Sequence, residues 1–247
     1  MSSQVAIDKI LFLDIETVSA SPDWDSLPET EQNLWRKKSQ YWVRDLDDPG
    51  EEDFARTYRD KAAIYAEFGR IIVISAGILS ESGNGYRMRI KSYSGDTEKE
   101  VLTPFARMLK EYYPKPGKYG ICGHNIKEFD VPYLCRRMLI QDVQIPPILE
   151  VRGKKPWEVT HLVDTMDLWK FGDLKNFTSL DLLANALGIP SPKDDIDGSQ
   201  VGRVYHEEHD LERIRKYCEK DVLTVAQVYL RLNQMQILKE EQIEFIP

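Results

Sequence analysis

Asp14 and Glu16 in ILFLDIET, Asp130 in GHNIKEFD, and Tyr217 and Asp221 in YCEKD combine residue types and spacings that could do chemistry. Several carboxylates converging on one point would hold hard divalent cations such as Mg²⁺ or Mn²⁺, which take oxygen ligands. Two such ions about 3.5–4 Å apart serve phosphodiester hydrolysis, stabilising both the attacking and the leaving oxygen.

The local patterns indicate which elements must position these groups. Residues 10–13 are a short apolar run of strand type that ends on an acid. Residues i and i+2 of a strand share a face, so Asp14 and Glu16 project together and Ile15 turns into the core. Such an acid is costly to bury unless it is paired or holds a metal. The plain alternative is a strand end carrying solvated acids.

Leu211, Ile214, Cys218, Val222, Val225, Tyr229 and Leu232 recur at helical spacing behind a candidate N-cap, Asp210. Tyr217 and Asp221 adjoin that stripe, one turn apart on one face, where a phenol and a carboxylate can address one point. Alone, the pair also fits a half-buried tyrosine and a surface acid. The segment from Gly123 starts small and polar and turns amphipathic at Phe129, Pro132, Tyr133, Leu134 and Met138. A helix entered near Asp130 tolerates Pro132 in its first turn, and Asp130 by itself could be a helix cap.

Together the three segments resemble the DEDD exonucleases of the RNase H-like superfamily, tyrosine subclass. D-I-E stands for the first motif, N-I-K-E-F-D for the second and Y-C-E-K-D for the third, over residues 9–232. The histidine subclass would carry His where this chain has Lys216. GHNIKEFDVPYL is similar to the proofreading domain of family B DNA polymerases. SPKDDIDGSQV ahead of the YCEKD helix narrows the likeness to stand-alone bacterial proteins with a PolB-like 3′–5′ exonuclease domain.

That resemblance implies an α/β, DnaQ-like exonuclease fold with a mixed five-stranded sheet flanked by helices, as one exonuclease domain over residues 1–247. It implies two divalent cations, Mg²⁺ or Mn²⁺, on Asp14, Glu16, Asp130 and Asp221, with Tyr217 orienting the attacking water. It further implies that Thr17, Asn125 and Phe129 bind substrate, Phe129 by stacking on a terminal base and Asn125 as a hydrogen-bond donor to the terminal nucleotide, and that Lys193 is aimed at the phosphate. The substrate would be the 3′ end of single-stranded nucleic acid, DNA rather than RNA. The alternatives are an RNase D-like exoribonuclease and a nucleic-acid-binding module without turnover. No polymerase segment follows Pro247, so a proofreading role would need a polymerase or repair partner in trans.

Composition is compatible with this reading. With 247 residues, 42% of them hydrophobic, the chain can bury a substantial core. It shows neither a membrane-span pattern nor a signal-peptide layout. Cys122, Cys135 and Cys218 lack metal spacing and read as reduced, buried thiols of a cytoplasmic protein. The net charge of −8 argues against a general nucleic-acid coat protein and leaves room for local basic patches. Candidates are residues 36–38, Arg136 with Arg137, and residues 152–155, the last for phosphate contact.

Along the chain, residues 10–16 read as the first strand. Residues 19–68 read as a mostly helical insertion over the active-site side. Residues 71–79 and 86–93 form paired strands around a Ser82–Gly85 turn. Thr97 and Glu100 make a capping box for a helix whose apolar face runs to Tyr112. Residues 119–122 and 159–165 are further strands, and Thr178 with Asp181 caps a short helix. Asp164 and Asp167 could be extra metal-site acids and are read in preference as a strand end and a helix cap; His206 and His209 are read as solvated. In the DDIDG run, Lys193 and Val204 replace the first and last acids of a calcium loop.

Overall fold

The structure, a computed structural model, describes residues 5–83, 85–173, 177–190 and 196–247. Its central sheet is mixed, in the order β5-β4-β1-β2-β3-β6. The strands are β1 (Ile10–Ser19), β2 (Gly69–Ser82), β3 (Gly85–Ser94), β4 (Gly120–Gly123), β5 (Leu162–Asp164) and β6 (Ile243–Ile246). Antiparallel β1-β2 and β2-β3 pairs make a meander, and β4 and β5 extend it in parallel beyond β1.

The expected count of five strands is corrected to six among the described residues. β6 pairs in parallel with the free edge of β3, helped by Gln242 Nε2 donating to the Tyr86 carbonyl at 2.6 Å. An open edge exposes unpaired backbone groups, and this short strand covers it. The fifth strand is shorter than expected, three residues long, because the Leu162 amide donating to the Val159 carbonyl turns the chain just before it and a helix begins at Thr165.

Alternation along β1 divides the core. Leu11, Leu13 and Ile15 point to the face covered by α3 (Glu98–Tyr112) and α4 (Asp130–Ile140), joining Val101, Phe105, Leu134 and Met138. Ile10 and Phe12 point to the other face, against Val222, Val225 and Tyr229 of α8 (Leu211–Leu232). Asp14 and Glu16 have the parity of Ile10 and Phe12 and so face α8.

The caps largely follow the sequence. Thr97 and Glu100 close a capping box on α3, and the Asp210 carboxylate accepts from the Arg213 amide on α8. Two expectations shift by a residue. Ser179, not Thr178 or Asp181, caps α6 (Leu180–Ala186), and Tyr113 is buried while Tyr112 is exposed. Asn84 of the expected hairpin turn lies outside the described residues.

The insertion folds as α1 (Glu29–Val43) and α2 (Glu51–Lys61) around Trp35, which packs on Tyr58, Tyr65 and Phe68. It is tied down at its exit. The Tyr133 phenol donates to the Ala63 carbonyl, and Arg137 donates to the Ala66 carbonyl while pairing with buried Glu98. Arg137 is therefore an internal staple and not half of a surface patch. Two other basic candidates also carry partners, Arg36 on Glu51 and Arg152 on Glu150.

Candidate active site

β1, the start of α4 and the middle of α8 deliver the five residues singled out by their spacing. Asp14 lies opposite Ser75 and Glu16 opposite Val73 of β2, with a bulge between Glu16 and Thr17. Strand parity aims both acids at α8, where Tyr217 and Asp221 stand one turn apart. Asp130 is the first residue of α4 and is buried at 4% exposure; Glu16 is 7% exposed.

The electrostatics show how close these groups are. Burial first, and then Glu16, Asp221 and Asp130, push the Asp14 carboxyl well above its usual range. Burial, then Asp221 and Asp130, does the same to Glu16. Burial pushes Asp130 up to about 7, with Asp164 and Asp221 adding to it and a backbone hydrogen bond from Ile15 opposing it. Burial and the neighbouring carboxylates also raise the Tyr217 phenol, which hydrogen-bonds Asp221. The phenol is therefore protonated at neutral pH.

These acids fit a cation. Uncompensated buried charge is costly, so such a cluster takes up either protons or positive charge. Among the described residues, no Lys, Arg or His forms an ion pair with Asp14, Glu16 or Asp130. Ligand atoms of Asp14, Glu16 and Cys218 lie within 4.8 Å of one another. The Cys218 thiol donates to the Asp14 carboxylate at 3.4 Å and approaches its carbonyl at 3.5 Å. Cys218 was legible only as a core residue, because its contact arises where α8 crosses β1.

The loop between β4 and α4 is held by Asp164, whose charge also bears on Asp130. Asp164 Oδ1 accepts from the Asn125 amide at 2.9 Å, and Oδ2 accepts from the Lys127 amide at 3.2 Å. Asp164 also caps α5 (Thr165–Lys170), as a strand-end acid should. Asp167 pairs with Lys127 and Lys170. Asn125 adopts a left-handed backbone at φ 61°, which asparagine tolerates. Its Oδ1 is buried without a hydrogen-bond partner.

The remaining expectations divide. Phe129 is half-buried beside Asp130 and packs on Tyr133 with ring centroids 5.4 Å apart. Thr17, just past the bulge, hydrogen-bonds Tyr133. Lys193 lies outside the described residues. His206 is not solvated: its Nε2 lies 3.1 Å from the Ser19 hydroxyl and 3.2 Å from the Ser19 carbonyl, because α7 (Val201–His206) packs on the end of β1.

Residues 64–244 match the family described as "Predicted 3'-5' exonuclease related to the exonuclease domain of PolB". The chain belongs to this family of exonucleases. The match contains Asn125, Asp130, Tyr217 and Asp221, while Asp14, Glu16 and most of the insertion precede it. The exonuclease chain is also 25% identical over 179 residues to a DNA polymerase of Red sea bream iridovirus, covering 65% of this chain and 18% of the viral one. In structure it is similar to the family B DNA polymerase of Pyrobaculum calidifontis. The TM-score is 0.52 at 15% identity, over 90% of this chain and 24% of that one. The fold is thus the RNase H-like one expected, with a six-stranded sheet. No helix among the described residues is long and apolar enough to cross a membrane.

Proposed function

We propose that this exonuclease removes nucleotides from the 3′ end of single-stranded DNA, using two Mg²⁺ or Mn²⁺ ions. The observation that supports the reading is that Asp14, Glu16, Asp130 and Asp221, carboxylates from three separate segments, act on one another, and that burial and this repulsion disfavour their ionisation unless positive charge is supplied. Asp14, Glu16 and Asp221 would hold one cation, and Asp14 with Asp130 the other. The bound ions lower the pKa of the attacking water and neutralise charge on the phosphate as it is attacked and cleaved. In the net reaction a water oxygen bonds to phosphorus, and the bond from phosphorus to the 3′-oxygen of the preceding sugar breaks. That oxygen leaves as a hydroxyl, and a nucleoside 5′-monophosphate is released.

Tyr217 is suited to orient the water rather than to deprotonate it, since its raised pKa keeps the hydroxyl protonated. Asn125 is a candidate partner for the terminal nucleotide through its unsatisfied side-chain oxygen, and Thr17 and Phe129 both meet Tyr133 of α4. DNA is preferred to RNA as substrate because of the polymerase relatives. A single domain working in a reducing, cytoplasmic setting suits three cysteines that are all free.

The deciding experiment incubates the protein with Mg²⁺ or Mn²⁺ and with 5′-labelled or 3′-labelled single-stranded DNA and RNA. The expected result is a ladder of shortening 5′-labelled DNA and immediate mononucleotide release from 3′-labelled DNA. Degradation of RNA alone would favour the exoribonuclease alternative. Absence of products with either strand would leave a binding module.

A further inference from the structure

Beyond the carboxylate cluster, on the same face of the sheet, lies a cavity of about 410 Å³ lined by Pro22, Arg70, Asp96, Tyr205, His206 and His209, among others. An apolar cluster connects it to the candidate active site. Val18, Ile72, Val204, Ile214 and Cys218 form one apolar cluster, with Tyr217 packed on it beside Tyr205 and Leu211. Arg70 on β2 stands opposite Val18, two residues along β1 from Glu16. Ser19, which holds His206, is three residues past Glu16, or about 10 Å along an extended strand.

The chemistry of this cavity is that of an anion site. Arg70 Nη2 donates to the Tyr205 hydroxyl at 2.7 Å, which fixes the guanidinium, while its Nε is buried with no hydrogen-bond partner. A buried donor left unpaired is costly, and a guanidinium fork matches phosphate oxygens. Two imidazoles stand around it. The opposing charges are Asp96 on the rim and Asp23 close enough to act on His206.

We propose that this cavity holds a backbone phosphodiester of the substrate strand, upstream of the bond being cut. The inference rests on the exonuclease reading and adds to it a second anchoring point, with Arg70 as the main contact. The anchor would keep the strand aligned while its terminal phosphate lies at the carboxylates. It would serve only substrates long enough to reach it.

The test measures binding of a fluorescein-labelled oligothymidylate by anisotropy in EDTA, where no turnover occurs. Arg70→Gln should weaken binding roughly tenfold, as expected for a lost charge-assisted contact. It should also make the salt dependence shallower by about 0.7 in log–log slope, the value for one phosphate contact on a single strand. In wild type, a neutral methylphosphonate at one internal linkage near the 3′ end should reproduce that loss, and the same linkage should cost Arg70→Gln nothing further. In the turnover assay the loss should read in KM and not in kcat.

If Arg70→Gln does not fold, His209→Asn, which suits the left-handed backbone there at φ 56°, carries the same comparison. Unchanged binding by the variant, or identical linkage profiles for variant and wild type, would overturn the proposal. So would displacement of the oligonucleotide by inorganic phosphate at similar concentration, which would mark a small-anion site. Strand binding that depends on Arg70 without any turnover would instead overturn the exonuclease reading and leave the anchor standing.

Discussion

At the scale of single residues, Asp14 and Asp221 are expected to be indispensable. Asp14→Ala or Asp221→Ala should abolish nearly all hydrolysis while circular dichroism stays native, and wild-type rates in both would discard the site. Tyr217→Phe keeps the ring and deletes the hydroxyl. A water-orienting group is typically worth about 10²–10⁴-fold, so kcat should fall within that range with KM little changed. Unchanged kcat would make the phenol a packing residue. Asp130 adds a dependence on pH. Its folded pKa of about 7 lies above the ordinary 3.8, so its protonated form stabilises the fold. That stability is complete below the unfolded pKa and lost as pH rises through about 7. His124, His161 and His206, held below their usual value by burial, work oppositely: their contribution is present above about 6.5 and lost on acidification. In EDTA, Tm should therefore rise as pH falls from 8 to 6.5. Asp130→Asn should be more stable than wild type at pH 8 and show a smaller pH response. A lower Tm for that variant at pH 8 would contradict the assignment. Asp130 was singled out by the resemblance, whereas the shared facing of Asp14 with Glu16, and of Tyr217 with Asp221, was legible in the sequence because i,i+2 and i,i+4 spacings carry direction. Cys218 and Arg70 were not, because each acquires its neighbour from a packing of helix on sheet that no local spacing encodes.

At the scale of elements, two acids, Asp164 and Glu98, hold the segments around the candidate site. Asp164 satisfies the amides of Asn125 and Lys127 and also caps α5. Asp164→Ala would strand those amides, costing about 1–3 kcal/mol for each that stays buried. Activity should drop with stability, and Asp164→Asn should restore only part, since one of its two side-chain atoms can no longer accept. Urea melts beside single-turnover rates check this; a fully active, fully stable Asp164→Ala would mean the loop holds itself. Glu98 and Arg137 join α3 to α4, the Ile71 amide of β2 and the insertion exit at Ala66. Breaking a buried pair from one side typically costs about 3–5 kcal/mol, so Arg137→Met should lower the urea midpoint clearly. The caps of α3 and α8 could be read from Thr97, Glu100 and Asp210 because capping is local. β6 could not, since its pairing with β3 joins segments far apart in the chain, and four residues carry almost no pattern.

At the scale of the whole molecule, stability should be linked to divalent cations. An ion that binds only the folded carboxylates raises Tm by mass action, and it competes with the protons those groups hold. Mg²⁺ or Mn²⁺ should therefore raise Tm more at pH 8 than at pH 6 in scanning calorimetry. Chelation should stop hydrolysis and leave the protein folded. A shift that is independent of pH would indicate cations bound elsewhere. The position of β1 has a consequence of another kind. It pairs with β2 from Leu11 to Ser19 and with β4 only at Ile10–Phe12, and it carries Asp14 and Glu16 beyond the β4 pairing. The amides of Leu11 and Phe12, held between both neighbours, can exchange with deuterium only when β2 or β4 has come away, so they should be among the slowest in the protein. Asp14 and Glu16, paired with β2 alone, should leave their places when that pairing opens, so the centre should be lost with the β1-β2 pair instead of decaying gradually as the protein warms.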